Sequence, residues 1–332
     1  MTITVTKQSF KLREILNALR KTVGIKGAEL MQSNSVADVY NAIRPVMYRN
    51  LLINGGFQIA QRGTSFTDPG GYTLDRWMAQ SNHTGSVVSQ QSFTPGQTAV
   101  PGNPDNYYRA SIAATTAAAD RVAIMQRVEN YKQVIGRTII LSGWYKCSAM
   151  LNGANWLFQI KRSNGFYDNS TELADPLGGL PQTNSWTYFT RKVFVPASAL
   201  DGQTMTGTAS LGLVYYYQSA PVAGTIEFAN LQLEVGEQAT PFENRPYATE
   251  LALCQRYFEV NGNMYVRNTG TTTQEMRITW VFKTQKRATP TISVGTGGST
   301  GVSVHCATVY QSDIAGGAVY DTSSQFTASA EL

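Results

Sequence analysis

The sequence predicts a mainly-β chain: a β-sandwich, preceded by a short helical segment and followed by a small C-terminal β domain. Charged residues are only 15% of the chain and aromatics reach 11%, a balance that favours β-rich proteins with polar surfaces over helical ones. From Leu51 onward the apolar period is two, the spacing that puts alternate side chains on opposite faces of a strand. The runs are short and separated by turn clusters, with no strand-helix-strand rhythm.

Residues 1–49 follow a different pattern. Leu12, Ile15, Leu16, Leu19 and Val23 recur at helical spacing, with Arg20 and Lys21 in the last turn and Gly24 as a stop. Ser35 with Asp38 approximates a capping box for a second helix carrying Val36, Val39, Tyr40 and Ile43, which Pro45 ends. Helices shorter than about 12 to 15 residues are marginal alone, so these apolar faces are expected to dock onto a partner.

Residues 50–247 form the sandwich. Thr138–Ser148 alternates Ile139, Leu141 and Tyr145 with Ser142 and Lys146; Trp156, Phe158 and Ile160 alternate with Gln159 and Lys161. Trp186–Val195 and Ala209–Tyr217 repeat the pattern. In Ile226–Val235 the parity slips, from Ile226 and Phe228 to Leu231, Leu233 and Val235, which predicts a β-bulge near Ala229 and Asn230. DPGG at Asp68–Gly71, PGNPDN at Pro101–Asn106 and LGGLPQTN at Leu177–Asn184 mark turns. Trp77 and Trp144 read as core.

Residues 248–332 continue with a helical segment at Thr249–Cys254. Strands follow near Tyr257–Val260, Met276–Lys283, Thr289–Val294, Val302–Val309 and Gln325–Leu332. This part is rich in Thr, Ser and Gly and poor in large apolar residues, so an oligomeric tip is expected to complete its core.

The net charge of +5 is spread along the chain, and the densest basic cluster is Lys283, Lys286 and Arg287. That is a solvated surface rather than the stripe a nucleic-acid partner needs. Three cysteines, Cys147, Cys254 and Cys306, have no paired or metal-like spacing and read as buried thiols of a protein folded in a reducing cytoplasm. No signal peptide and no apolar run of membrane-spanning length is present, so no membrane insertion is expected.

Chemistry-bearing motifs are sparse. His83 and His305 lack motif partners, and no nucleophile elbow, metal-binding His pair or phosphate-binding loop occurs. Asp168, Glu172 and Asp175 share one polar stretch. They could be solvated, could hold calcium, or could supply the carboxylates, about 5 to 10 Å apart, of a glycan hydrolase. No repeat period is found, and a non-catalytic chain is expected.

Two phrases carry a family resemblance. LLINGGF at Leu51–Phe57, preceded by Asn50, resembles the first strand of carbohydrate-binding, galactose-binding-like jelly rolls of families four and nine. TIEFANLQLEVG at Thr225–Gly236 is similar to their last strand. The phrase completed by Thr240, Pro241, Phe242, Glu243, Arg245 and Tyr247, with ELALCQRYFEV at Glu250–Val260, resembles phage tail-fibre and receptor-binding proteins. KLREIL through KGAELM looks like the anchor of such proteins.

The resemblance spans about residues 51–260. It implies a jelly roll, a homotrimer, a virion location after assembly in the host cytoplasm, and attachment to host-surface polysaccharide. Residues 1–49 would contact other virion proteins through Leu12, Ile15, Leu16, Leu19, Val36, Val39, Tyr40 and Ile43. Sugar-stacking candidates are Tyr215, Tyr216, Tyr217, Trp156, Trp186 and Tyr188. Ala229 and Asn230 stand where many relatives carry acids near a structural calcium, so no cofactor and no metal are expected. An alternative reading is a head decoration, collar or neck fibre protein that contacts only virion proteins; less favoured is a virion glycan hydrolase.

Overall fold

The computed structural model describes residues 49–81, 84–112, 122–129, 131–148, 155–161, 181, 183–196, 210–216, 223–261, 276–294, 302–307, 311–316 and 326–331. Arg49–Leu332 forms one compact unit. The eight residues from Leu12 to Ile43 that would anchor the chain lie outside the described residues, as do Asp168, Glu172 and Asp175.

Strands β1 (Ser65–Thr67), β2 (Gly70–Tyr72), β3 (Met78–Ser81), β4 (Val87–Ser92), β5 (Asn106–Ile112) and β6 (Val122–Val128) come first. Then follow β7 (Arg137–Cys147), β8 (Asn155–Lys161), β9 (Thr183–Val195), β10 (Ser210–Tyr216) and β11 (Gly224–Val235). Among the described residues they make a six-stranded sheet, β1-β4-β5-β11-β7-β9, and a five-stranded sheet, β2-β3-β6-β10-β8. Every pairing is antiparallel.

The mainly-β class predicted from sequence is what the structure shows, and the two sheets face each other across one core. From the six-stranded sheet come Val88, Tyr108, Ile139, Leu141, Tyr145, Phe189, Ile226, Phe228, Leu231 and Leu233; from the five-stranded sheet come Ala79, Ile124 and Val128. These residues alternate along their strands, so burying them leaves the intervening residues on the outer faces.

The parity slip of β11 is a bulge: its register against β7 shifts between Ala229 and Gln232, and Asn230 sits at φ 51°. The slip lets Phe228 and Leu231 both reach the core. Val235, at the strand's end, does not join them and is exposed.

The opening phrase is not a strand. Residues 51–57 form an irregular turn beside the bulge, with Asn54 at φ 59° and Phe57 at φ 56°, and two backbone bonds tie it there, Leu51 N to Leu233 O (2.7 Å) and Leu231 N to Gly55 O (3.0 Å). Gly55 is required because a Cβ would lie 2.1 Å from Leu231 O. Buried Asn50 accepts from the amides of Leu52 and Leu233 and donates to Leu231 O, each at 3.0 Å, replacing the ladder bonds the bulge interrupts.

The closing phrase covers the outer side of the same strand. Glu234 accepts from Thr240 N and Oγ1, both at 2.7 Å, and Gln232 Oε1 accepts from Glu243 N at 2.8 Å. Arg245 pairs with Glu243 (3.1 Å) and Glu250 (3.4 Å) and donates to Leu52 O (3.2 Å). The opening and closing phrases are thus one strap around the bulge.

Helix α1 (Tyr247–Gln255) leads to β12 (Phe258–Asn261), β13 (Met276–Val281), β14 (Thr291–Val294), β15 (Val302–Ala307), β16 (Gln311–Gly316) and β17 (Phe326–Ser329). They form two three-stranded sheets, β12-β17-β14 and β13-β16-β15, with Trp280, Phe282, Phe326, Ala328 and Ile292 packed together. The basic cluster is only in part a solvated surface: Lys283 is exposed, but Lys286 is buried, with its Nζ 2.6 Å from buried Glu259, and half-buried Arg287 donates from Nε to Ala330 O at 3.0 Å. No described helix is long and apolar enough to cross a membrane. Cys147 and Cys254 are buried thiols.

This segment joins the sandwich through charge. Buried Arg76 pairs with Glu331 and stacks 3.5 Å over Tyr257. Burial alone would lower the Arg76 pKa; Glu331, together with Tyr72, Tyr257 and Cys254, outweighs it and holds the guanidinium above its ordinary value. Arg62 reaches Glu331 at 3.0 Å and lies 3.5 Å over Phe258.

Candidate carbohydrate-binding face

The outer face of the six-stranded sheet carries several of the described surface aromatics; Tyr247, exposed on α1, and Tyr72, half-buried on β2, are not among them. Trp144 on β7 pairs in register with Ala229 of β11 on one side and Tyr188 of β9 on the other; its ring lies 5.4 Å from that of Tyr188. Trp144 is therefore half-buried on the outer face rather than in the core, because it alternates with the inward Tyr145. Tyr188 is 46% exposed.

A second aromatic group joins three elements. Phe93, just after β4, packs on Tyr107 of β5 (4.7 Å) and on Trp186 of β9 (5.2 Å), and Tyr107 meets Trp186 edge-on at 5.4 Å. All three are half-buried. Tyr107 alternates with core Tyr108, and Trp186 with Tyr188 stands two residues apart on one strand, so both groups belong to one rigid sheet face.

Beside them runs a charged row. Arg109 of β5, Glu227 of β11 and Lys146 of β7 are consecutive partners across three strands. Arg109 Nε and Nη2 both lie 2.7 Å from Glu227 Oε1, and Lys146 Nζ lies 3.1 Å from Oε2. Arg109 Nη2 also donates to Tyr107 Oη at 2.9 Å. The carboxylate is 2% exposed beneath cations that are 31% and 35% exposed. Aromatic faces with fixed polar groups beside them can stack on the apolar side of a sugar ring and read its substituents.

Of the residues named from sequence, Trp186 and Tyr188 stand on this face. Trp156 and Tyr215 face each other in register on β8 and β10, and Tyr215 is also opposite core residue Ile124. Tyr216 pairs with Asn155 and Ala123. The side chains of Trp156, Tyr215 and Tyr216, and all of Tyr217, lie outside what the structure describes. The sequence puts Trp144 in the core, gives Lys146 only as the outward member of an alternation, and marks none of Phe93, Tyr107, Arg109 and Glu227 as part of a site; the pairing that assembles the row is not local.

Among the described residues no group of three or more His, Cys, Asp or Glu could hold a metal. No known protein-family model matches the chain, and no curated protein matches it. Solved structures similar to it include the enzymatically active domain of tailspike protein 4 of bacteriophage CBA120, at 15% identity and TM-score 0.36 over 57% of this chain; the match spans only 22% of that protein. A family 11 carbohydrate-binding module of Clostridium thermocellum, crystallised with a mixed-linked tetrasaccharide, shares 13% identity at TM-score 0.31 over 53% of this chain and 97% of its own. A cyclase from Fischerella sp. TAU shares 14% identity at TM-score 0.36 over 56% and 96%.

Proposed function

We propose that this chain is a non-catalytic glycan-binding protein of a phage particle, attaching to host-surface polysaccharide through the outer face of its six-stranded sheet. The observation that carries the reading is the pairing of Trp144–Tyr188 and Phe93–Tyr107–Trp186 on one side of one sheet, beside a fixed row of hydrogen-bonding charges. A monomeric surface does not normally spend aromatics this way, and their rotamer-poor rings lose little entropy on contact.

The non-catalytic part rests on the same row. Its carboxylate, Glu227, is buried and neutralised by two cations, whereas hydrolysis of a glycoside calls for two carboxyl groups across a cleft. The phage assignment, the jelly-roll topology, the trimer and the anchoring role of residues 1–49 rest on the phrases at Leu51–Phe57 and Thr240–Val260. A trimer would turn weak sites into durable attachment through effective concentration.

The test is binding of the labelled full chain to a panel of immobilised bacterial surface polysaccharides, with the supernatant assayed for released sugar. Saturable binding without release, reduced about tenfold by Tyr188→Ala, as a stacking contact of about 1.5 kcal/mol requires, is the expected result. Saturable binding that Tyr188→Ala and Trp186→Ala leave unchanged would remove this face from the account; binding to virion proteins alone would favour the decoration or collar reading.

A further inference from the structure

We infer that the glycan taken by this face is acidic, with a sugar carboxylate held by Arg109 and Lys146. The inference rests on the glycan-binding reading and names its substrate class. The row holds two cations and one anion, and the anion is the buried member: Glu227 is 2% exposed, Arg109 31% and Lys146 35%. A ligand arriving from solvent therefore meets the two positive ends first, with one positive charge in surplus.

The geometry is prepared for an anion. Glu227 takes Arg109 by Nε and Nη2, and Tyr107 Oη accepts from Nη2 as well, which fixes the guanidinium plane. Nη1 has no acceptor among the described residues, and Lys146 Nζ meets Glu227 Oε2 as an ion pair at 3.1 Å without a hydrogen bond, which leaves its donors for a ligand. Guanidinium held in a set plane is a strong receptor for a carboxylate, because little freedom is lost when the hydrogen bonds form. Glu227 acts as a positioning residue.

Spacing links the charge to the rings. Trp144 and Lys146 are two residues apart on β7, and Tyr107 and Arg109 two apart on β5, about 7 Å in each case. A sugar stacked on one of those aromatics brings a carboxylate on its own ring, or on the next one, to the neighbouring cation. A single surplus charge suits an isolated carboxylate per repeat; a polyphosphate or nucleic-acid chain would call for an extended basic stripe, which the row lacks.

The experiment measures binding of the full chain to polygalacturonate, alginate and xanthan, to the carboxyl-reduced form of each, and to dextran and dextran sulfate as neutral and sulfated controls. Expected is binding to at least one uronate polymer that falls tenfold or more on carboxyl reduction and weakens with salt. The Arg109→Gln/Lys146→Gln pair should reproduce that loss; because it strips buried Glu227 of both cations its unfolding midpoint should fall, and each single variant, which keeps one cation, should lose part of the binding with a smaller drop. Glu227→Gln should narrow the preference for the uronate polymer over dextran sulfate; a residue that only held strands together would leave that ratio unchanged.

Equal binding to the reduced polymer, or binding to dextran alone, would overturn the acidic class while leaving glycan binding intact. Equal binding to dextran sulfate would reduce the row to a general anion patch and overturn it too. Binding to none of the polymers would count against both this inference and the reading beneath it. Should the double variant fail to fold, the comparison of each polymer with its reduced form decides alone.

Discussion

At the junction with the C-terminal segment, Arg76 is 1% exposed, paired with Glu331, stacked on Tyr257 and donating to Arg127 O at 2.7 Å. On the outer face of the six-stranded sheet, Arg109 also has a carboxylate and a tyrosine beside it, yet is 31% exposed. The residue types match and the covering differs. Chain from α1, β12 and the Ala330–Glu331 end seals the first group, and the strap of residues 240–245 covers β11 only beyond its bulge, over Gln232 and Glu234. A charge sealed on every side is spent on structure; a charge fixed from below and open above remains available to a ligand.

Breaking the sealed group should give the largest effect. Arg76→Met leaves Glu331 beside Arg62 alone in a buried setting, and losing one partner of a buried pair costs about 3–5 kcal/mol. Chemical denaturation would show it, and adding Glu331→Gln should recover part of the loss. On the outer face, Arg109→Gln should cost less than half as much, because each carboxylate keeps one cation but the Arg109 side chain is 31% exposed against 1% for Arg76, so solvent reaches the row. Equal losses at the two sites would erase the distinction.

Next in size is the strap. Gly55→Ala places a Cβ 2.1 Å from Leu231 O, and the turn must move off the bulge; overpacking of this kind costs about 1–3 kcal/mol. The unfolding midpoint should drop, and amide exchange of Leu231 and Leu51, bonded across that seam, should quicken before that of the β5–β11 pairing.

Tyr188→Ala sharpens the comparison from the open side. The ring is 46% exposed and packs on Trp144 alone among the described aromatic pairs, so stability should change by no more than about 0.5 kcal/mol while glycan affinity falls. A variant that lowers stability and affinity together would mean that the aromatic face is part of the sandwich's support.

These contrasts also mark what a sequence makes visible. Strands β7, β9 and β11 are readable because burying one face imposes alternation over eleven to thirteen residues, and the bulge is readable because it breaks that alternation at a definite place. Strands β1 to β3 are three or four residues long, too short for a period, and β16 is polar or small at most positions. The phrase at Leu51–Phe57 looks like a strand by its apolar residues; what sets its turn, Gly55 against Leu231 O and Asn50 bridging to Leu233, lies some 180 residues away in the chain. The site divides in the same way. Trp186 and Tyr188 lie in a plain alternating run, whereas Arg109, Glu227 and Lys146 become one row only through the register of three strands.

The smallest effect separates two carboxylates by sign. Burial alone would raise Glu129, but hydrogen bonds from Arg256 (2.7 and 3.1 Å) and Tyr257 Oη (2.6 Å) outweigh it and hold its pKa below the ordinary carboxylate value. A depressed carboxylate contributes stability that is complete above its unfolded value of about 4.3 and is lost as pH falls through the folded value. Asp75 is the reverse: burial raises it, and Arg62 and the hydrogen bonds from Gln61 (both 2.6 Å) only partly oppose this. Its contribution is complete below its unfolded value of about 3.9 and is lost as pH rises through the folded one. Urea denaturation from pH 3 to 7 should therefore show the advantage of the parent over Glu129→Gln growing with pH and its advantage over Asp75→Asn shrinking. Added salt should flatten the first curve more than the second, because the Glu129 side chain is 36% exposed and that of Asp75 is 1%. Parallel slopes for the two variants would mean that covering does not decide how the charges of this junction act.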